Sequence, residues 1–98
     1  MSVTMVALAT PRPGGEEDAR RYTEGVLPLI QAAGGSPRGR LRIDETVVGA
    51  PRKGRLLLVD FPTAAAIQGL FESEEYASLI ATRDRAFERF EVLLCSAA

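Results

Sequence analysis

The sequence predicts an α+β fold in which a four-stranded antiparallel sheet carries its helices on one face. Four short segments are apolar or alternate between apolar and polar residues, as β-strands do. Between them, apolar residues recur at steps of three and four, which is the spacing of an amphipathic helix. The order is strand, helix, strand, strand, helix pair, strand. Because the chain has 98 residues, we expect one domain spanning 1–98.

The first half of the chain supplies a strand, a helix and a second strand. Val3–Thr10 is short and apolar and is followed by PRPGG, which predicts a buried strand. The helical pattern begins at Glu16 with three acidic residues and ends at the Gly34-Gly35 pair. Pro28 falls inside this helix and should kink it, or break it near Val26. Arg40–Val48 alternates as a strand exposed on one face would.

The second half supplies the remaining elements. Arg55–Phe61 is almost entirely apolar, as expected of a central strand. Thr63 is a plausible N-cap for a second helix, and Ser73 can cap a further helix from Glu74 to about Phe87. Arg89–Ser96 reads as the last strand. The resulting βαββαβ order is that of the ferredoxin-like plait.

One face of such a sheet is left without helices. Leu57, Val59 and Phe61 should line one face of the third strand, and Leu56, Leu58 and Asp60 the other. Because both sets are mostly apolar, the second face also needs a cover. A second copy of the chain is the economical cover, so we expect a homodimer.

Composition excludes several classes of function. The net charge of −1 gives no general attraction to nucleic acid or to an anionic membrane. The chain has no secretory signal pattern and no apolar run long enough to span a bilayer, so a soluble cytoplasmic protein is expected. Basic residues gather between Arg38 and Arg55; a solvated hairpin and an anion-attracting patch are both compatible with this cluster.

The absence of histidine removes the usual general base and the commonest metal ligand. The single cysteine, Cys95, excludes an internal disulfide and is expected to be inert packing in the last strand. We therefore expect no metal and no cofactor. Any acid–base chemistry must use carboxylates, tyrosines, Lys53 or Cys95.

Arg83 lies on the apolar stripe of its predicted helix, together with Tyr76 and Phe87. Asp60, at the end of the apolar third strand, is its candidate partner. One interpretation is a structural ion pair between Asp60 and Arg83. A second makes Arg83 a clamp for a carboxylate or enolate, with Asp60 holding its geometry or acting as base. In a third, Arg83 extends along the surface to reach water.

Three aromatic residues are further candidates. Tyr76 is either core or a donor to a ligand, and Tyr22 on the first helix has the same two interpretations. Phe71 is core or the wall of a cavity. The candidates for ligand binding are therefore Arg83, Tyr76, Asp60, Phe71 and Tyr22, and those for catalysis are Asp60, Arg83 and Tyr76.

The segment FPTAAAIQGLFESEEYASLIATRDRAF resembles the family called domain of unknown function thirteen-thirty, within the dimeric α+β-barrel superfamily. The resemblance covers most of the chain. It rests on the D-F-P at Asp60–Pro62, the helix end LPLIQAAGG at Leu27–Gly35, and an aromatic-x-Ser-x-x-Tyr run with an arginine seven residues after the tyrosine: Phe71, Ser73, Tyr76 and Arg83. It implies a homodimer whose sheets pack face to face, with a cavity between sheet and helices in each subunit. It implies no reaction.

Two functional hypotheses follow. In the first, each subunit binds a small anionic or carbonyl metabolite in the cavity, with cofactor-free acid–base activity of an isomerase or cyclase type. This class of activity rests on analogy of fold. In the second, the chain is a non-catalytic dimeric binding or accessory protein in which Asp60 and Arg83 form a structural ion pair. Close packing around Arg83 would favour the second hypothesis, and an accessible cavity at Arg83 and Tyr76 the first.

Overall fold

The computed structural model describes residues 2–98, and its element order confirms the ferredoxin-like plait. The four strands form one antiparallel sheet in the order β2-β3-β1-β4. The elements along the chain are β1 (Val3–Pro11), α1 (Glu16–Ala32), β2 (Ser36–Ile43), β3 (Gly54–Phe61), α2 (Ala64–Glu72), α3 (Glu74–Ala77), α4 (Ile80–Ala86) and β4 (Phe87–Cys95).

The core lies between the helices and one face of the sheet. Met5 on β1 pairs with Val59 on β3, and both are almost fully buried. Because side chains alternate along a strand, Phe61 points to the same face as Val59. The helices contribute residues at helical spacing to this core, namely Tyr22, Val26, Ile30, Ile67, Leu70 and Tyr76.

Helix α1 is continuous through Pro28, so the break predicted near Val26 is wrong. Pro28 is exposed, and the carbonyl that loses its helical donor can turn to water. The helix ends as predicted at the glycine pair. The Gly35 amide donates to the Ile30 carbonyl over 2.8 Å and the Gly34 amide to the Gln31 carbonyl over 3.0 Å. Gly34 has φ +84°, which completes a Schellman motif.

Strand β2 lies earlier than the alternation predicted, at Ser36–Ile43 rather than Arg40–Val48. It begins directly after the turn at Gly35, and its last residue pairs with Gly54, the first residue of β3. The residues after Ile43 therefore have no partner strand. They form a loop closed by the Arg52 amide, which donates to the Thr46 hydroxyl over 2.9 Å.

The helical segment predicted at Glu74–Phe87 is divided in two. Ser73 caps α3 as expected, because its hydroxyl accepts from the Tyr76 amide over 3.1 Å. The Leu79 amide then donates to the Tyr76 carbonyl three residues back over 2.8 Å, which tightens the turn before α4. Despite this interruption, Tyr76 and Arg83 remain on the same side.

No helix within residues 2–98 combines the length and apolar character needed to cross a bilayer.

Candidate functional site

A cleft of about 550 Å³ opens between the α3–α4 segment and the helix-facing side of β4. Strand β4 is an edge strand, so no further strand lies beside it to close the cleft at that edge of the sheet. The lining residues combine aromatic and charged side chains: Arg12, Phe71, Tyr76, Ile80, Arg83, Asp84, Phe87, Glu88, Phe90 and Val92.

Aromatic rings form the inner wall of the cleft. The Phe71 ring lies 4.7 Å from the Tyr76 ring in an edge-to-face arrangement, and the Phe87 and Phe90 rings lie 5.4 Å apart. These distances are those of favourable aromatic pairs. The inner wall is therefore apolar and packed, and the polar groups of the cleft come from Arg12, Tyr76, Arg83, Asp84 and Glu88.

Arg83 is the central polar group of the cleft. Its Nη1 donates to the Tyr76 hydroxyl over 3.1 Å, and its Nε and Nη2 donate to Asp84 Oδ1 over 3.3 and 3.2 Å. The guanidinium carbon lies 5.6 Å from the Phe90 ring centre and 5.9 Å from that of Tyr76, within the range of cation–π attraction. The side chain is 26% exposed, so one side of it meets the cleft.

The donors of Arg83 are not all used within residues 2–98. A guanidinium has five N–H groups in a planar fork. Three of them serve Tyr76 and Asp84, which leaves one on each of Nη1 and Nη2. Partial burial lowers the pKa of Arg83, but its interactions with Tyr76 and Asp84 raise the pKa by more. The group is therefore a permanent cation with spare donors at the wall of the cleft.

Tyr22 lies directly behind Tyr76. The two hydroxyls are 2.9 Å apart and hydrogen-bonded, and both residues are buried. Burial, followed by the hydrogen bond to Tyr76, raises the pKa of the Tyr22 phenol, so it stays neutral. Tyr22 does not line the cleft itself.

The hydrogen-bond pattern leaves one tyrosine proton to spare. The Tyr76 oxygen already accepts from Arg83. Either hydroxyl can donate in the bond between the two tyrosines, and the proton of the other then lacks an acceptor among residues 2–98, at a cost of about 1–3 kcal/mol. Because Tyr76 lines the cleft and Tyr22 does not, a molecule in the cleft can accept this spare proton when Tyr22 donates to Tyr76.

Asp60 does not pair with Arg83, so the predicted ion pair is wrong. The Asp60 carboxylate accepts from the Thr4 hydroxyl over 2.7 Å and from Arg38 Nε over 3.0 Å. These contacts hold the pKa of Asp60 below its ordinary value, with the Thr4 bond as the largest cause. The physical reason is the alternation of β3: since Val59 points to the helices, Asp60 points to the opposite face of the sheet.

The structure thus brings together three of the five predicted residues, Arg83, Tyr76 and Phe71. Tyr22 is hydrogen-bonded to Tyr76 and does not line the cleft, and Asp60 is on the other face of the sheet.

Phe90 was not predicted from the sequence as a wall of the cleft. The period of two that Phe90 shares with Val92 and Leu94 in FERFEVLL was the signal that could have found it. Phe87, three residues before Phe90, lies where the pairing of β4 with β1 shifts register, so alternation does not place it.

Arg12 is a second residue that the sequence did not single out. Its guanidinium donates to the Phe87 carbonyl over 3.1 Å and to the Asp84 carbonyl over 3.4 Å. Its backbone amide donates to the Ala86 carbonyl over 2.9 Å. Arg12 therefore fastens the loop after β1 to the end of α4 and adds positive charge at the cleft. Its place in a proline-glycine loop gave no signal of this.

Solved structures share this fold at low sequence identity. A Rhodopseudomonas palustris protein of unknown function has a TM-score of 0.83 at 16% identity over 99% of this chain and 82% of its own. A Mesorhizobium loti dabb family protein with a ferredoxin-like fold has a TM-score of 0.67 at 12% identity, with 99% and 97% covered. A Caulobacter crescentus putative antibiotic biosynthesis monooxygenase has a TM-score of 0.66 at 11% identity, with 99% and 90% covered.

At these identities the likenesses establish the fold alone. No curated protein matches the chain in sequence. A family model, in contrast, matches almost the whole chain, over residues 7–97. The chain therefore belongs to the family described as Domain of unknown function (DUF1330).

Proposed function

We propose that this chain binds a small anionic or carbonyl metabolite in the cleft between its sheet and its helices. The observation that supports this most directly is the state of Arg83. It is a permanent cation, held in place by Tyr76 and Asp84, with two N–H donors that residues 2–98 do not use.

The surroundings of Arg83 suit a carboxylate or an enolate. The aromatic wall lowers the local dielectric, which strengthens a charge-assisted hydrogen bond formed there. When Tyr22 donates to Tyr76, the Tyr76 proton provides a further donor beside the guanidinium. A planar anion can accept from both groups, and bonds from a guanidinium to a carboxylate are among the stronger hydrogen bonds in proteins.

Binding of small carboxylates, measured by calorimetry, tests this function. We expect Arg83→Met to weaken the affinity roughly 10- to 100-fold, the range expected for lost hydrogen bonds to a charged group. Arg85→Met is the matched control, because Arg85 lies on the same helix, pairs with Asp18 and does not line the cleft. The proposal would be refuted if no small carboxylate binds, or if Arg83→Met and Arg85→Met bind carboxylates equally well.

Acid–base catalysis without a cofactor, of an isomerase or cyclase type, is a second candidate function. It is favoured by the Tyr76 hydroxyl, which lines the cleft and can give its proton to a developing oxyanion when Tyr22 donates to it. With Asp60 on the other face, the carboxylates that line the cleft are Asp84 and Glu88. The alternative is a non-catalytic binding or accessory protein that uses the same cleft.

Exchange of carbon-bound protons separates these two candidates. Phenylpyruvate in heavy water exchanges the protons next to its carbonyl when it enolises, and NMR follows the loss. An acid–base enzyme would accelerate this exchange above the buffer rate, and Tyr76→Phe would remove most of the acceleration. Binding without any acceleration supports the non-catalytic role.

We further propose that the chain is a homodimer in the cytoplasm, joined through the helix-free face of its sheet. This open face is defined by Val6, Leu8, Leu41, Leu56, Leu58 and Leu93. Leu41 is 60% exposed and Leu93 47% exposed. Ion pairs border the open face, Arg38 with Asp60 at one end and Arg52 with Glu91 at the other. An apolar area with a polar rim on a small domain is typical of an interface.

A further inference from the structure

A second cavity adjoins the cleft and has a different chemical character. It has a volume of about 320 Å³ and shares two wall residues with the cleft, Phe71 and Val92. Its other lining residues are Ile67, Leu94, Gln68 and Glu72. No cationic side chain is among the residues that line it, in contrast to the cleft with Arg83 and Arg12.

Strand β4 connects the two spaces. Phe90, Val92 and Leu94 alternate onto the helix-facing side, as the pairing of Val92 with Ala7 and of Leu94 with Met5 shows. Successive residues on one side of a strand are about 6.6 Å apart, so this apolar row is about 13 Å long. The row begins at the Phe90 ring, which lies beneath the Arg83 guanidinium, and ends at Leu94 in the second cavity.

The two ends of this row differ in charge. Arg83 and the Tyr76 hydroxyl are at one end. At the other end the apolar residues Ile67 and Leu94 are bordered by the exposed residues Gln68 and Glu72. A carboxylate placed there would meet the charge of Glu72, which disfavours a second anionic group on the ligand. Leu94 is 44% exposed, so an apolar group can bury surface against it.

We propose that the ligand is an amphiphilic monocarboxylate, with its anionic head at Arg83 and Tyr76 and an unbranched alkyl tail along β4 into the second cavity. This inference rests on the proposed function, because it takes the anion site at Arg83 as given. What it adds is the class of ligand and the direction in which the ligand lies.

A series of straight-chain acids from acetate to decanoate, kept below the concentrations at which they form micelles, tests the inference by calorimetry. We expect the affinity to rise about three- to fourfold per added methylene until the second cavity is filled, as burial of a methylene predicts. Octanedioate should bind more weakly than octanoate. Arg83→Met should weaken every member of the series.

Leu94→Thr probes the tail end and keeps a residue that suits a strand. It should weaken decanoate roughly tenfold and leave acetate unchanged, since only the longer acid reaches Leu94. Leu27→Thr is the matched control, because Leu27 is a leucine of similar exposure, 41%, on α1 away from both cavities.

The outcomes separate the two proposals. Affinity that depends on Arg83 but stays flat with chain length overturns the amphiphile and leaves the anion site standing. Affinity that rises with chain length but ignores Leu94→Thr overturns the placement of the tail. Absence of binding that depends on Arg83, at every length, overturns both.

Discussion

The guanidinium of Arg83 donates to the hydroxyl of Tyr76 over 3.1 Å and so joins α4 to α3 across the turn that separates them. The same oxygen is bonded to Tyr22 of α1. Three helices therefore meet at one phenol, which is buried while the guanidinium beside it reaches the cleft. This arrangement places a cation at the cleft without requiring a buried acid as its partner.

Replacing Arg83 should affect stability only modestly. We expect Arg83→Met to lower the free energy of unfolding by about 1 kcal/mol, because its acidic partner Asp84 is mostly exposed and the aliphatic part of the side chain is retained. Urea unfolding followed by circular dichroism measures this. A loss of about 3–5 kcal/mol would instead indicate that Arg83 is one half of a buried structural ion pair.

Tyr22→Phe should lower stability and leave the anion site in place. It removes one hydrogen bond to Tyr76, so we expect a loss of about 1 kcal/mol in the free energy of unfolding at neutral pH. Thr23→Val on the same helix is the control, because the Thr23 hydroxyl bonds only to its own helix. Carboxylate affinity should be retained in Tyr22→Phe, because Tyr22 does not line the cleft and the Tyr76 proton is left with no acceptor other than a molecule in the cleft. A loss of affinity as large as that in Arg83→Met would contradict this.

The pH dependence of stability has an alkaline part that reports on Tyr22. The pKa of Tyr22 is raised in the folded chain above its ordinary value of 10.0, so the unfolded chain loses this proton first. Stability should therefore fall as the pH rises above 10.0, and the fall should be shallower in Tyr22→Phe. Urea unfolding at a series of alkaline pH values tests this, and identical slopes for the two proteins would refute it.

The acidic part of the pH dependence reports on Asp60. Its pKa is lowered in the folded chain from an ordinary value of 3.8, so the unfolded chain takes up this proton first as the pH falls. The stability that Asp60 contributes is present above 3.8 and is lost below it. Asp60→Asn should remove this part of the acid sensitivity. Asp44→Asn, whose pair with Arg42 is exposed on both sides, should retain it; equal acid profiles for the two variants would contradict the account.

The open face gives a prediction about assembly. Leu93→Asp places a charge within the proposed interface, on the edge strand β4, without entering the core. Sedimentation should show a dimer for the wild type and a monomer for this variant, because an unpaired charge is costly to bury. Leu27→Asp, a similarly exposed leucine on α1, should remain dimeric. A wild-type monomer at high concentration would rule out the homodimer.

Local patterns in the sequence were sufficient for the order of elements, the helix caps and the stop at Gly34-Gly35. They failed where tertiary context decides. The register with β3 placed β2 earlier than its alternation indicated, and a tight turn at Leu79 divided the last helical segment. The alternation of β3 already placed Asp60 opposite to Val59, so its ion pair with Arg83 was inconsistent with the strand pattern itself.

For the site, the helical spacing of Tyr76 and Arg83 predicted that both lie on one side, because seven residues correspond to about two turns. Their hydrogen bond was not predicted, since Asp60 was the expected partner of Arg83. The contribution of Arg12 could not be predicted in this way. It comes from a loop 72 residues away from its acceptor Asp84, and only the completed sheet brings the two together. Likewise, the spare donors of Arg83 follow from three-dimensional distances and not from its place on an apolar stripe.

A crystal structure of the protein with a bound short carboxylate would locate the anion site. We expect the carboxylate in the cleft, with its oxygens about 2.7–3.2 Å from the Nη atoms of Arg83 and from the Tyr76 hydroxyl, and with the bond between Tyr22 and Tyr76 intact. A structure in which the carboxylate binds elsewhere, while Arg83 directs all its donors to protein acceptors, would contradict it.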